Sequence, residues 1–400
     1  MKPPGPFTRP TTPPASHRPT TVVYRYKLVR MRRLQYSILL LGTLVLLTSN
    51  WQLATGNSAA GDSGFYRLGT SHGAARLLAP DGQAMPLLAA DHIHLISPSA
   101  PRTDLAPDYV DQRSEAILAG LRAAGFNALG GDADADIWHR GLPFIESLGI
   151  SAHLQANQQT ALFDVYAPDF PAQVAALAQA ACAPEAGDSQ LIGYLSDEGL
   201  TWDPARHAAL VLSYYLQLPQ GAPGRERAED YVRIRYHSDI RRLDQAWGGT
   251  AKDFIALAVP GANTAPFAAF AADAAPFAQQ VLIRYLQVVA NAIHAADPNH
   301  LYLGAELDPG ADTLAWTVPD VDSVQVSPAE DPRPVIAALP RPALAIEAGC
   351  GAVSAATQAM FSLPTLVGYV WSPAGDWQSG ACAAQAAGAW AGVNRQARRR

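Results

Sequence analysis

The chain has 400 residues, of which 49% are hydrophobic and 16% charged, enough apolar material for one large domain or two ordinary ones. A formal net charge of −6 argues against a nucleic-acid-binding protein, which normally carries a basic face. The three cysteines, Cys182, Cys350 and Cys382, form neither a disulfide framework nor a metal-spaced cluster, although the last two could pair in an oxidising compartment.

The N-terminal part differs in composition from the rest of the chain. Residues 1–33 are rich in Pro, Thr and Arg, which predicts disorder, and Met31-Arg-Arg-Leu34 would itself make an ordinary signal-peptide start. Residues 34–54 form an apolar run behind this basic flank, which predicts a signal peptide or a membrane anchor, followed by a linker at 55–64. We therefore expect an extracytoplasmic protein, periplasmic or secreted, that contacts the inner membrane through 34–54 if that segment is not cleaved.

From residue 65 to 396 short apolar strands alternate with helices. A β-hairpin with a turn at Pro80-Asp-Gly82 precedes four strands that alternate with three helices. The predicted strands are His92–Ile96, Phe126–Leu129, Ile150–Leu154 and Leu191–Leu195, and the helices surround Ser114–Leu121, Ile137–Leu148 and Phe170–Ala183.

Beyond Trp202 a mostly helical stretch at about 204–270 is too long for one crossover and predicts an insertion after the fourth strand. The second half contributes a helix at Pro276–Ala296, a closing helix at 383–396 and four strands: Leu301–Gly304, Val321–Val326, Ala343–Ile346 and Leu366–Trp371. Eight strands favour a closed (β/α)8 barrel, and the absence of a Gly-rich phosphate-binding sequence disfavours a dinucleotide-binding sheet.

Two carboxylates end predicted strands. Glu198 follows the fourth strand and Glu347 the seventh, and in a barrel both ends face the active site. Cleavage of a glycosidic bond with retention needs such a pair about 5 Å apart, one acid to protonate the leaving oxygen and one carboxylate to attack. The alternative is that both residues cap loops or pair with arginines.

Side chains near the same strand ends are candidates for substrate contact. Tyr194, Trp202, Trp371 and Trp377 could stack on sugar rings, although core or rim packing explains any one of them equally well. Asp197, Asn127 and His153 are the polar candidates for the same cleft.

Three other sequence patterns are weaker evidence for a catalytic or metal site. Gly69-Thr-Ser-His-Gly73 matches the nucleophile-elbow pattern, but a hairpin surrounds it instead of a strand and a helix. Asp132-Ala-Asp-Ala-Asp136 lacks the glycine and the bidentate Glu of a calcium loop. His92 and His94 share one strand face, but the sequence offers no evident third ligand, so we favour pocket or core histidines over a metal site.

Several stretches, in order, resemble the β-agarase-like branch of the clan-A glycoside hydrolases. They are Phe65–Gly69 with Pro80–Gly82, Gly125-Phe-Asn-Ala-Leu-Gly130, Tyr236–Trp247, Asp297-Pro-Asn-His-Leu-Tyr-Leu-Gly304, Val321–Val326 and Gly368-Tyr-Val-Trp371 with Asp376.

The resemblance implies a (β/α)8 barrel and a retaining mechanism, with Glu347 at the nucleophile position. The family pattern Gly-Tyr-Phe-x-Asp-Asn-Glu-Leu-x-Trp matches Gly193 through Trp202 with one departure: the Asn falls on Glu198 and the acid/base Glu on Gly199. The family's arginine after strand five is also replaced, by Glu306.

Two functions remain open. The first is a retaining O-glycosidase acting on a polysaccharide, with Glu198 as acid/base one residue early and Glu347 as nucleophile, which needs no metal and no organic cofactor. The second is a catalytically inactive carbohydrate-binding protein or scaffold in exopolysaccharide handling.

Overall fold

The computed structural model describes residues 64–71, 73–96, 105–255, 257–308, 318–327, 330–348 and 359–372. The predicted signal or anchor at 34–54, the predicted closing helix at 383–396, Trp377 and the Cys350–Cys382 pair lie outside these residues. Within them, no helix has the length and apolar character that a membrane crossing requires.

An antiparallel sheet opens the described chain. It consists of β1 (Arg67–Ser71), β2 (Ala74–Leu78) and β3 (Ala84–Met85), with Arg67 opposite Leu78 and Ser71 opposite Ala74. Gly73, at φ 76°, allows the tight turn between the first two strands. The predicted hairpin is confirmed, and the Gly-x-Ser-x-Gly sequence lies across its turn.

Eight parallel strands form the barrel. They are β4 (Leu87–Ala90), β5 (Ala128–Leu129), β6 (Phe144–Ser147), β7 (Leu191–Leu195), β8 (Leu301–Tyr302), β9 (Asp322–Val326), β10 (Ala343–Ala348) and β11 (Leu366–Ser372). Their order is β8-β7-β6-β5-β4-β11-β10-β9, and a parallel bridge between Leu307 and Val324 joins the two ends. The predicted (β/α)8 barrel is confirmed.

The helices are α1 (Pro107–Ala123), α2 (Ile150–Gln158), α3 (Phe170–Cys182), α4 (Pro204–Gln217), α5 (Pro223–Arg235), α6 (Ile240–Trp247), α7 (Phe267–Ala296) and α8 (Arg333–Ala338). On α1 the buried residues Ser114, Ile117, Leu118 and Leu121 have the helical spacing that presents one stripe to the barrel. Helices α4 to α6 form the predicted insertion after the fourth barrel strand. Helix α7 begins nine residues before the predicted start and continues through Pro276.

Two hydrophobic cores lie on opposite faces of the barrel wall. The interior core contains strand residues such as Leu87, Ala89 and Ile192 together with Tyr66, just before β1, and Leu77 of β2, and none of its described members lies on a helix. The helix-side core holds the alternate strand residues and the helices. Since Ala75 N–H donates to Pro364 O (2.7 Å) just before β11, the antiparallel sheet covers the N-terminal end of the barrel. We call the C-terminal end of the barrel the mouth, and the polar residues of the candidate site lie there.

Two sequence predictions are wrong in detail. The first barrel strand is Leu87–Ala90, not His92–Ile96, because the fully buried run ends at Asp91, and both histidines follow the strand. Residues 137–148 hold a strand instead of a helix, and 150–158 a helix instead of a strand. Pro143 disfavours a helix there, and Gly149, at φ 59°, precedes a helix instead of ending one.

Candidate active site

Asp91 is the first carboxylate of the mouth. Along β4, Leu87 and Ala89 belong to the interior core and Leu88 and Ala90 to the helix-side core, so strand alternation turns Asp91 inward. Its Oδ1 accepts from Asp132 N–H at 2.7 Å, and the residue is 5% exposed. Burial raises the pKa of the Asp91 carboxyl, which the neighbouring imidazole of His92 partly offsets.

Glu198 lies at the mouth and is reached by solvent. Its Oε1 lies 2.8 Å from the point that a Cβ at residue 131 would occupy, so Gly131 leaves the space for it, and Ser147 donates a hydrogen bond to the carboxyl. Protein surrounds the carboxyl from the sides, and this burial, with the charges of Asp91 and Asp132, raises the pKa of Glu198 well above its ordinary value. A protonated carboxyl in a concave site is the state that a general acid needs.

Glu306 adds a further carboxylate after β8. Its N–H donates to Asp197 O at 2.9 Å, which fixes the chain beside the fourth strand. Burial and the charge of Asp91 raise the pKa of Glu306 to about 7, against the opposing effects of His92 and a hydrogen bond from Gln325.

His92 brings positive charge to this cluster. Its Nδ1 lies 2.8 Å from Asp132 Oδ2, and the residue takes a left-handed backbone conformation at φ 53°. Burial alone would lower the pKa of His92, but the hydrogen bond with Asp132 and the charges of Asp91 and Glu198 raise it to about 9.

Asp197 points away from the mouth. Its Oδ1 accepts from Ser151 N–H (2.7 Å) and its Oδ2 from the Tyr285 hydroxyl (2.6 Å), both on helices, and the residue is 3% exposed. Burial raises the pKa of Asp197 to about 7, partly offset by these hydrogen bonds. The two adjacent carboxylates, predicted together as cleft residues, thus lie on opposite sides of the wall.

Glu347 is 1% exposed on β10. Leu344 and Ile346 of this strand belong to the interior core and Ala343 and Ala345 to the helix-side core, so alternation turns Glu347 towards the helices. The Tyr369 hydroxyl lies close to its carboxylate, and burial and the charge of Glu347 raise the pKa of Tyr369 well above its ordinary value.

The predicted aromatic contacts are packed in the helix-side core. Tyr194, Trp202 and Trp371 are each 1% exposed or less. The Tyr194 hydroxyl donates to Asp297 at 2.6 Å, the Trp202 indole to Ser151 Oγ at 3.1 Å, and Trp371 stacks on Phe126 at a centroid distance of 5.8 Å. In this arrangement their ring faces contact protein, and none is free for a sugar.

Asn127 lies at the opposite end of the barrel from the mouth. Asn127 Oδ1 accepts from Leu88 N–H and its Nδ2 donates to Pro86 O, both at 2.8 Å, which ties β4 to β5 near their N-terminal ends. His153 is half-buried on α2. Of the eight predicted site residues, Glu198 is the one that the structure exposes at the mouth.

Sequence reasoning missed Asp91, Asp132 and Glu306 as members of this site. The sequence prediction places the first strand five residues too late, so Asp91 falls outside it. The signal for Asp91 is the apolar run Leu87–Ala90, which a carboxylate follows directly. Asp132 stands three residues after Leu129, the end of β5, in the same relation to its strand as Glu198 to Leu195.

Solved structures share this architecture. An exo-β-agarase superposes with a TM-score of 0.63 at 16% identity, covering 84% of this chain and 66% of the agarase. The chain has the agarase fold. The agarase AgWH50C gives a TM-score of 0.63 at 15% identity (84% and 65% covered), and a β-galactosidase from Rahnella sp. R3 gives 0.50 at 12% (78% and 56% covered).

These identities establish the fold alone, and the resemblance predicted from the sequence is confirmed at that level. The chain spans slightly less than two thirds of the length of the two agarases. Comparisons with protein-family models and with curated protein sequences find no match.

Proposed function

We propose that the protein is a glycoside hydrolase acting on a polysaccharide by a retaining mechanism, with Glu198 as acid/base and Glu347 as nucleophile. Because Glu347 faces the helix side in this structure, its carboxylate has to turn from Tyr369 to the mouth before it can attack. The observation that carries the proposal is the Glu198 carboxyl, which is open to solvent and has a raised pKa at the mouth of a barrel with the agarase fold. Protonated Glu198 would donate to the leaving glycosidic oxygen and, once ionised, activate the water that releases the product.

The substrate class rests on the agarase-like and β-galactosidase-like fold and on the polar mouth. Sugar hydroxyls are donors and acceptors, and Asp91, Glu306 and Gln325 offer both kinds of partner around Glu198. An extracytoplasmic location would give the enzyme access to a polysaccharide, and it rests on residues 34–54 of the sequence.

The test is release of reducing sugar from a panel of polysaccharides that includes agarose. Loss of a general acid costs about 10²–10⁴-fold in rate, so Glu198→Gln should lose turnover by this amount and Glu347→Gln at least as much. Glu226→Gln is the matched control, because Glu226 is exposed on α5. Full activity of Glu198→Gln would overturn its role, and full activity of Glu347→Gln would overturn the nucleophile assignment.

The second candidate is a catalytically inactive carbohydrate-binding protein. The observation that favours it is the orientation of Glu347, which turns to Tyr369 and the helix side. In addition, the family acid/base position is Gly199 at φ 77°, a conformation that a glutamate rarely adopts. Saturable oligosaccharide binding without product from any polysaccharide would establish this candidate and exclude the hydrolase.

A further inference from the structure

The chain segments after β4 and β5 pair side by side. Ile93 and Ala133 form a parallel bridge, and Asp134 N–H donates to Ile93 O at 2.9 Å. This register brings His92 opposite Asp132 and His94 opposite Asp134. Two sequence signals that were unconnected in the chain, the paired histidines and the aspartate repeat, thus meet at the mouth.

Three nitrogen and oxygen donors converge there. Asp132 Oδ2 lies 2.8 Å from His92 Nδ1 and 3.4 Å from His94 Nε2, and the three donor atoms lie within 4.8 Å of one another. Tetrahedral metal–nitrogen and metal–oxygen bonds of about 2.0–2.1 Å place neighbouring ligand atoms about 3.4 Å apart. The 3.4 Å separation of His94 Nε2 and Asp132 Oδ2 matches this value, whereas the 2.8 Å His92–Asp132 contact has to open to admit an ion.

Asp134 completes the arrangement behind His94. The Nδ1 of His94, on the far side of the ring from the donor Nε2, lies 3.4 Å from Asp134 Oδ1. Asp134 itself is fixed by Leu95 N–H, which donates to its Oδ2 at 2.7 Å. A metal-bound histidine usually has such a carboxylate behind it, since the carboxylate holds the tautomer and orients the ring.

The exposure of the three side chains and the negative charge around them also favour the binding of a cation. The side chains of His92 and Asp132 are 34% and 38% exposed, and that of His94 is 12% exposed, so an ion can enter from the mouth. The carboxylates of Asp91 and Glu198 lie close enough to influence the charge of His92. A cation at the triad would offset their mutual repulsion.

We propose that His92, His94 and Asp132 bind one divalent transition-metal ion of the zinc class at the mouth of the barrel. Two imidazoles and one carboxylate suit such an ion, whereas calcium prefers an all-oxygen shell. Three protein ligands leave one coordination position for water or for a sugar hydroxyl. The site stands independently of the proposed hydrolase activity.

The test is titration of metal-free full-length protein with Zn²⁺, followed calorimetrically, with Ca²⁺ as the competing ion. We expect one saturable zinc site per chain that Ca²⁺ in excess does not displace. His94→Gln should weaken zinc binding by at least about 100-fold, and Asp134→Asn, which leaves all three ligands in place, by about 10–100-fold. Circular dichroism of each variant shows whether it is folded. If His94→Gln does not fold, the zinc affinity of Asp134→Asn still tests the proposal.

The chain offers a matched control. His139, Glu185 and Asp188 form a second group of three donors, with His139 Nδ1 3.3 Å from Asp188 Oδ2. His139→Gln should leave zinc affinity unchanged. Absence of saturable zinc binding, or binding that His139→Gln abolishes while Asp134→Asn and His94→Gln retain it, would overturn the proposal.

Discussion

Carboxylates in two regions of the molecule differ in their neighbours: those outside the mouth contact hydrogen-bond donors, and those at the mouth lie near other carboxylates. Outside the mouth, Asp197, Asp273 and Asp297, the wall carboxylates, are each surrounded by donors. Asp273 accepts from Arg235, from the Tyr236 hydroxyl (2.5 Å) and from the Trp247 indole (2.9 Å). Asp297 accepts from the Tyr194 hydroxyl and from His300, both at 2.6 Å.

At the mouth, Asp91, Glu198 and Glu306, the mouth carboxylates, lie near one another instead. Burial and the charge of Asp91 raise the pKa of both glutamates, and His92 opposes the effect at both. Like charges gathered in this way cost folding free energy, and such clusters are typical of functional sites. Carboxylates that accept several hydrogen bonds stabilise the fold, whereas the mouth carboxylates concentrate negative charge at the site.

The largest effect is expected at Asp273. Replacement by Ala leaves the buried Trp247 indole and the Tyr236 hydroxyl without their acceptor, whereas Arg235, whose side chain is 41% exposed, can turn to water, so Asp273→Ala should lower the free energy of unfolding by about 3 kcal/mol. Urea denaturation measures this. Asp230→Ala is the control: Asp230 pairs with Arg233 on the exposed face of α5, and its loss should cost at most about 1 kcal/mol. Equal effects of the two variants would contradict the assignment of Asp273 as a wall carboxylate.

A smaller effect is expected at Asp297. Burial alone would raise its pKa, but hydrogen bonds from His300 and Tyr194 lower it below the ordinary value. Stability from the ionised carboxylate is therefore present above the unfolded-state pKa of about 3.9 and is lost as the pH falls through the lower folded-state pKa.

Asp297→Asn should accordingly cost about 2 kcal/mol at pH 7, and the gap to wild type should narrow below about pH 4. Urea denaturation at a series of pH values measures the gap. The exposed Asp108→Asn should change stability by about 0.5 kcal/mol or less. A gap for Asp297→Asn that is independent of pH would show that its charge has no part in stability.

A still smaller effect, of opposite sign, is expected at Glu306. Its folded-state pKa is raised to about 7, so the stability of the protonated form is present below the unfolded-state value of about 4.3 and is lost as the pH rises through 7. Glu306→Gln should therefore be at least about 1 kcal/mol more stable than wild type at pH 8 and equal to it at pH 4. Thermal unfolding of wild type and Glu306→Gln is measured at both pH values, with the exposed Glu115→Gln as control. A Glu306→Gln variant that is less stable than wild type at pH 8 would contradict the prediction.

The sequence predicted the fold well because strand ends and helix stripes are local signals. The apolar run Leu191–Leu195 predicts a buried strand, and the helical spacing of residues from Ser114 to Leu121 predicts a helix. It failed at 137–158, where Gly149 served to start a helix and not to end one. The site was harder to predict, because the direction of a side chain at a strand end depends on register and bulges. Asp197 and Glu198 are neighbours in sequence, yet one contacts the helices and the other the mouth.

That neighbouring pair allows the most direct test. The free energy of unfolding of Asp197→Ala and Glu198→Gln is measured at pH 7 beside the turnover of each on a responsive polysaccharide. We predict that Asp197→Ala loses about 1–3 kcal/mol because Ser151 and Tyr285 lose their acceptor. Glu198→Gln should instead gain stability and lose turnover. Loss of stability in Glu198→Gln, with turnover intact, would contradict the distinction between wall and mouth carboxylates.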